Sequence, residues 1–165
     1  MAFVELEAGD AQEAESVPED TYELEIISFV PTVSKKAKEA GWDIEARGPN
    51  MYVADFAVNS EEFPHARTVR SYFSLPMPDD EKKSKDFKTL NLVRLFQAFG
   101  INYKLEGGNI GFDDEDPVGS RGTCLLTLGE PNDNGDRYNE LVLPRAKEDA
   151  ADSSAGSAKP RRRRA

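Results

Sequence analysis

Large apolar side chains recur at every second position in several stretches of this chain, and at helical spacing in one. Tyr22-Glu23-Leu24-Glu25-Ile26 alternates cleanly, and Ile27-Ser28-Phe29-Val30 continues it with Ile27 and Phe29 on the opposite parity. A strand that changes face partway predicts a bulge or strong coiling, as a closing barrel requires. Pro31 is expected to limit pairing beyond it. Over residues 51–58 the side chains of Tyr52, Phe56 and Val58 share one parity. After a turn over 59–64, the run 67–73 sets Val69, Ser71 and Phe73 against Thr68, Arg70 and Tyr72. Both runs read as half-buried strands, the second turning a guanidinium and a phenol outward. Residues 123–128 and 137–143, joined by the turn-rich 131–136, predict a further hairpin with a longer loop. Leu92, Phe96 and Phe99 stand at i, i+4 and i+7 with Phe87 and Leu95 flanking, which predicts a helix over about 84–99 whose aromatics face the core. Gly100 ends it. Residues 34–40 suit a helical turn closed by Gly41, and 101–117 reads as irregular.

In order, the elements are strand, long loop, two strands, helix, and two more strands. That describes a mainly β protein. Five strands with one helix between strands 3 and 4 is the connectivity of the OB-fold, a barrel that binds oligonucleotides across strands 2 and 3 and the loops joining strands 1–2 and 4–5. Other five-stranded barrels share this order. The apolar residues concentrate between Tyr22 and Leu143, which divides the chain into an acidic N-terminal segment over 1–16, an OB-fold domain over 17–145 and a disordered polar tail over 146–165. The tail ends in Arg161-Arg162-Arg163-Arg164-Ala165.

A net charge of −10 argues at first against a polyanionic partner. Its distribution changes that. Residues 1–20 hold seven acids and no base, whereas 21–110 hold twelve bases against thirteen acids, so the core can sort its charges onto different faces. The lone Cys124 excludes an internal disulfide and any thiolate-rich zinc site, and its apolar neighbours predict a buried thiol. No run approaches the ~20 apolar residues of a membrane span, and the first residues lack a secretory signal's basic start, so a soluble protein with no membrane contact is expected. There is no Gly-rich phosphate loop and no His-Glu metal motif. The only histidine, His65, lies in a turn, and Asp113-Asp114-Glu115-Asp116 lacks the spacing of a calcium loop. The expectation is a protein that is not an enzyme and needs neither cofactor nor metal.

An oligonucleotide groove needs cations for phosphates and flat side chains on which bases stack. Lys35, Lys36, Lys38 and Arg47 supply charge from the loop between strands 1 and 2, Arg70 and Tyr72 from the outer parity of strand 3, and Arg121 from the entry to strand 4. Trp42, Tyr103 and Tyr138 are candidate stacking platforms. The terminal arginines would raise affinity for any nucleic acid, or pair with the acidic start of the chain.

Several segments together resemble a family of bacteriophage single-stranded-DNA-binding proteins, long annotated only as a domain of unknown function, that accompany phage replication and recombination genes. They are Val17-Pro18-Glu19-Asp20-Thr21-Tyr22-Glu23-Leu24-Glu25-Ile26, Ser34-Lys35-Lys36, Tyr52-Val53-Ala54-Asp55-Phe56-Ala57-Val58, Arg67-Thr68-Val69-Arg70-Ser71-Tyr72-Phe73-Ser74-Leu75, Ala98-Phe99-Gly100-Ile101 and Gly119-Ser120-Arg121-Gly122, within about 17–144. The resemblance implies sequence-tolerant coating of single-stranded DNA in a host bacterium's cytoplasm. Its partners would be single-stranded DNA and phage replication or recombination proteins, with a dimer left open. The bacterial housekeeping relatives end in an acidic tip that recruits partners, and this chain ends in arginines. The net −10 motivates an alternative, an acidic barrel that mimics DNA and binds a basic protein.

Overall fold

A computed structural model describes residues 2–9 and 13–147 of the chain. Five strands form one antiparallel sheet: β1 (Asp20–Thr32), β2 (Met51–Asn59), β3 (Val69–Ser74), β6 (Arg121–Leu128) and β7 (Asn139–Val142). Their lateral order is β3-β2-β1-β6-β7, and β7 returns alongside β3, so the sheet curls into a nearly closed barrel. With the single long helix α3 (Lys82–Phe99) between the third and fourth barrel strands, this is the expected OB-type connectivity. The tail expectation falls, beyond Lys147, outside the described residues.

Each strand buries the parity that carries its large apolar side chains. Leu24, Ile26, Ala54, Phe56, Val69, Phe73 and Leu126 point into the barrel, and Leu92, Leu95, Phe96 and Phe99 of α3 close it. The face change in β1 is a bulge: the β1–β2 register slips between Ile26 and Ser28, which turns Phe29 inward and leaves Ile27 exposed. Pro31 does not stop the pairing, which continues to Thr32 opposite Met51. The Thr32 carbonyl accepts from the Asn50 N–H, so the alternation aims the donorless Pro31 nitrogen away from β2. On that side β6 has already left, its last partner being Glu25.

Two glycines are required by geometry. Gly100 ends α3 at φ 67°, the left-handed conformation that avoids a Cβ clash only for glycine. Gly122 lies where β6 meets α3, and a Cβ there would stand 2.4 Å from the Ala98 carbonyl oxygen.

Residues 101–117, expected to be irregular, contain a short hairpin of β4 (Lys104–Glu106) and β5 (Asn109–Gly111). It is anchored through rings: Tyr103 lies 5.7 Å from Phe96, and Phe112 lies 4.8 Å from Phe96 and 5.7 Å from Tyr52, centroid to centroid. Phe87, expected at the core stripe of α3, is instead 67% exposed. It lies five residues before Leu92, about 140° round the helix, and so falls on the face turned away from the core, while Ser84, Lys85 and Lys88 of the same turns are half-buried.

The N-terminal segment is partly built into the barrel. Glu15 bridges Ala66 in parallel, its N–H donating to the His65 carbonyl at 3.0 Å and its carbonyl accepting from the Arg67 N–H at 2.7 Å. Ser16 Oγ donates to the Arg137 carbonyl, and Asn139 holds both the N–H and the carbonyl of Val17 at 2.8 Å. Residues 14–17 therefore tie the entries of β3 and β7 together, and Val17 is buried in the core.

Candidate nucleic-acid interface

The outer face of β1, β2 and β3 is organised in cross-strand rows fixed by register. Val30, Val53 and Tyr72 form one row; Ser28, Asp55 and Arg70 the next; Glu25 and Ala57 the third, with Arg121 of β6 opposite Glu25. Together with the Thr32, Met51 and Ser74 row at one end, they span roughly 20 Å at the pitch of a pleated strand. Tyr72 is 55% exposed and Val30 52%, so the first row is an open apolar strip carrying a phenol ring.

The two cations on this wall are already matched. Arg70 grips Asp55 through Nε at 2.8 Å and Nη2 at 3.2 Å, and Arg121 Nε donates to Glu25 Oε1 at 3.1 Å. The hydrogen bond to Asp55, then its charge, then the Tyr72 hydroxyl raise the Arg70 guanidinium above its ordinary pKa. The arginine side chains are 59% and 63% exposed while Asp55 and Glu25 are half-buried beneath them, so each guanidinium keeps a face open to a phosphate. Glu23 adds a third carboxylate to the wall, opposite Thr123 and Asn59.

The lysines come from the loop that leaves β1 beside Tyr72's end of the wall. Ser34 caps α1 (Lys35–Glu39) by accepting from the Ala37 N–H at 3.3 Å. Asn50 clamps the base of the loop, accepting from the Ser34 N–H and donating to Ser34 Oγ. Lys35, Lys36 and Lys38 are exposed, and among the described residues no ion pair involves them. A second turn, α2 (Ile44–Arg47), holds Trp42 down: the Trp42 Nε1–H donates to the Gly48 carbonyl at 2.9 Å and the Arg47 guanidinium lies 3.7 Å over the ring. Arg47 also reaches Asp79 at 3.1 Å, tying this loop to the one after β3. Trp42 thus has one face covered by a cation.

Two expected stacking platforms are placed elsewhere. Tyr103 is 5% exposed, tilted against Phe96, with its hydroxyl accepting from Gln97 Nε2, so it belongs to the core and presents no face to a base. Tyr138 is half-exposed, but it lies at the β3–β7 seam with the Arg67 guanidinium 4.6 Å above its ring. The residues that sequence reasoning missed are the partners Asp55 and Glu25 and the apolar strip of Val30 and Val53. Their signal is the register, legible only once the strands are paired.

A cleft of about 1600 Å³ lies between α3, the β4–β5 hairpin and residues 75–78. Tyr52, Leu92, Leu105 and Ile110 give it an apolar floor, and its rim mixes Lys82 and Lys85 with Glu106 and Asp113. None of the predicted binding residues lines it. The Tyr52 hydroxyl donates to Asp114 there at 3.1 Å, and burial, then that bond, push its pKa up to about 12. Burial likewise pushes the Cys124 thiol up to about 11, which leaves it protonated and unreactive. Among the described residues no group of three or more His, Cys, Asp or Glu could hold a metal ion, and no helix is long and apolar enough to cross a membrane. No protein-family model matches the chain, and no curated protein matches it.

Proposed function

We propose that this barrel is a sequence-nonspecific single-stranded-DNA-binding protein that coats unpaired strands during phage DNA replication or recombination in the host cytoplasm. One observation carries the reading: an exposed tyrosine on an apolar strip, with Arg70 in the next row and a capped helical turn of exposed lysines at the same end. Bases stack on such a ring without regard to sequence, while the cations track the backbone. The strip runs across β1, β2 and β3, and OB-type barrels take oligonucleotides across strands 2 and 3, which supports the reading.

Fluorescence anisotropy of a labelled thymine oligomer, titrated over a range of salt, tests it. The wild-type chain should bind with a steep salt dependence. The triple substitution Lys35→Gln, Lys36→Gln, Lys38→Gln should lower the slope of log K against log salt by about 2, at ~0.7 per phosphate released on a single strand. Failure of the wild type to bind at low salt would sink the proposal. The carboxylates Asp55, Glu25 and Glu23 on the same wall favour a second reading, an acidic adaptor for a basic protein, which predicts indifference to the oligomer and capture of a cationic partner.

A further inference from the structure

Among the described residues, the four most exposed large apolar side chains fall in two places: Phe3 (91%), Leu6 (81%) and Val4 (70%) near the start of the chain, and Phe87 (67%) on α3. Leu90, 38% exposed, lies one turn beyond Phe87. Lys83 and Arg94 stand four residues before Phe87 and four after Leu90, so the helix shows one stripe of two apolar side chains bracketed by two cations. Lys83 is exposed, whereas Arg94 is half-buried, with its Nε buried and without a hydrogen-bond partner among the described residues. The N-terminal residues carry the opposite charge: in Phe3-Val4-Glu5-Leu6-Glu7 the apolar side chains are interleaved with two carboxylates.

We propose that residues 2–7 of one copy dock on the Phe87–Leu90 stripe of a second copy. The apolar side chains meet there, and the two carboxylates give the segment a charge opposite to that of Lys83 and Arg94, which flank the stripe. An apolar stripe on a helix that its own domain leaves uncovered is the ordinary receptor for such a segment. In this structure residues 2–9 are exposed along their whole length, so they do not cover their own helix. Each copy offers both a tip and a stripe, so two copies can exchange tips as a reciprocal pair or further copies can add in a row. The β1–β3 wall takes no part. The proposal therefore stands whether or not that wall binds DNA.

Sedimentation of the full chain over a range of concentrations is the test. The wild type should show a mean mass rising with concentration, and rising less at high salt. Phe3→Ser with Leu6→Ser should abolish the larger species, and so should Phe87→Ser with Leu90→Ser; each variant should keep the wild-type circular dichroism, since these side chains are exposed. Phe87→Ser alone serves if the double change on the helix disturbs the fold. An equimolar mixture of the tip variant and the stripe variant should give a one-to-one dimer and nothing larger, because a single intact contact remains. The proposal is overturned if the wild type is monomeric at every concentration, which covers a tip folding back on its own helix. Association that survives either variant, or a mixture that stays monomeric, also overturns it.

Discussion

Two arginine–tyrosine pairs on one barrel have opposite fates. Arg70 and Tyr72 stand two residues apart on the outer face of β3, and both are exposed. Arg67 enters the same strand just before it, and its guanidinium lies over Tyr138, from the entry to β7. The rings are about equally exposed, at 55% and 43%. They differ in what converges on them. At the seam three chain segments meet, and Arg67 donates to the Ala14 carbonyl while its own N–H donates to Glu15. Its backbone N–H and Nη2 tie residues 14–15 to the entry of β3, while its Nε is buried without a hydrogen-bond partner among the described residues. On the wall the ion-pair partners of the arginines among the described residues are carboxylates that a phosphate could replace. Identical chemistry is thus structural where the sheet fails to close on itself, and available where the sheet is complete.

The sharpest way to break this contrast is to open the seam. Asn139 satisfies the Val17 N–H and carbonyl together and also donates to the Thr127 carbonyl at 3.2 Å. Asn139→Ala strands those partly buried groups, and at ~1–3 kcal/mol for each unsatisfied group the loss should be about 3 kcal/mol, read as a lower urea midpoint. Oligonucleotide affinity measured well below the midpoint should not change. A midpoint like the wild type's would mean that residues 14–17 do not help to close the barrel. The next largest effect compares the tyrosines directly. Tyr72→Ala should weaken oligonucleotide binding by ~1–3 kcal/mol, roughly 5- to 150-fold in Kd, with stability unmoved. Tyr138→Ala should do the reverse, removing about 0.5–1 kcal/mol of ring–guanidinium contact from stability and nothing from affinity. Equal losses of affinity from both would erase the distinction drawn here between wall and seam.

The strands were legible because each buries one parity, and a run such as Tyr52, Ala54, Phe56 admits no other register with the core. The bulge was legible for the same reason, since Leu24, Ile26 and Phe29 cannot share a face without an extra residue between them. What the chain hides is whatever depends on a distant partner. Phe87 belongs to the predicted helix but stands five residues before Leu92, off the buried stripe. Tyr103 looks like any tyrosine beside a lysine until Phe96 and Phe112 gather around that segment. The β4–β5 hairpin pairs through three residues a side, too few to show alternation. The partners of the two wall arginines are the extreme case: Arg121 is 96 residues from Glu25, and Asp55 meets Arg70 only because the long turn between β2 and β3 sets that register.

Those partners supply the smallest and most discriminating test. Asp55 holds Arg70 through both carboxylate oxygens, so a phosphate that reaches this guanidinium must displace a carboxylate from it. The arginine side of the pair is exposed while the Asp55 side chain is 20% exposed, so solvent and salt screen its attraction from the guanidinium side. Asp55→Asn keeps the shape and one acceptor oxygen but removes the charge that competes with the backbone. If the wall is a DNA path, this change should tighten Kd by roughly two- to fivefold at low salt, the scale of an exposed ion pair. It should also steepen the salt slope by up to ~0.7, because one more phosphate is then neutralised. The urea midpoint should scarcely move. On the adaptor reading the sign reverses: removing an acid from the wall weakens the grip on a basic partner, and no oligonucleotide binding emerges. Asp55→Asn therefore separates the two readings by the direction of its effect, even where its size is small.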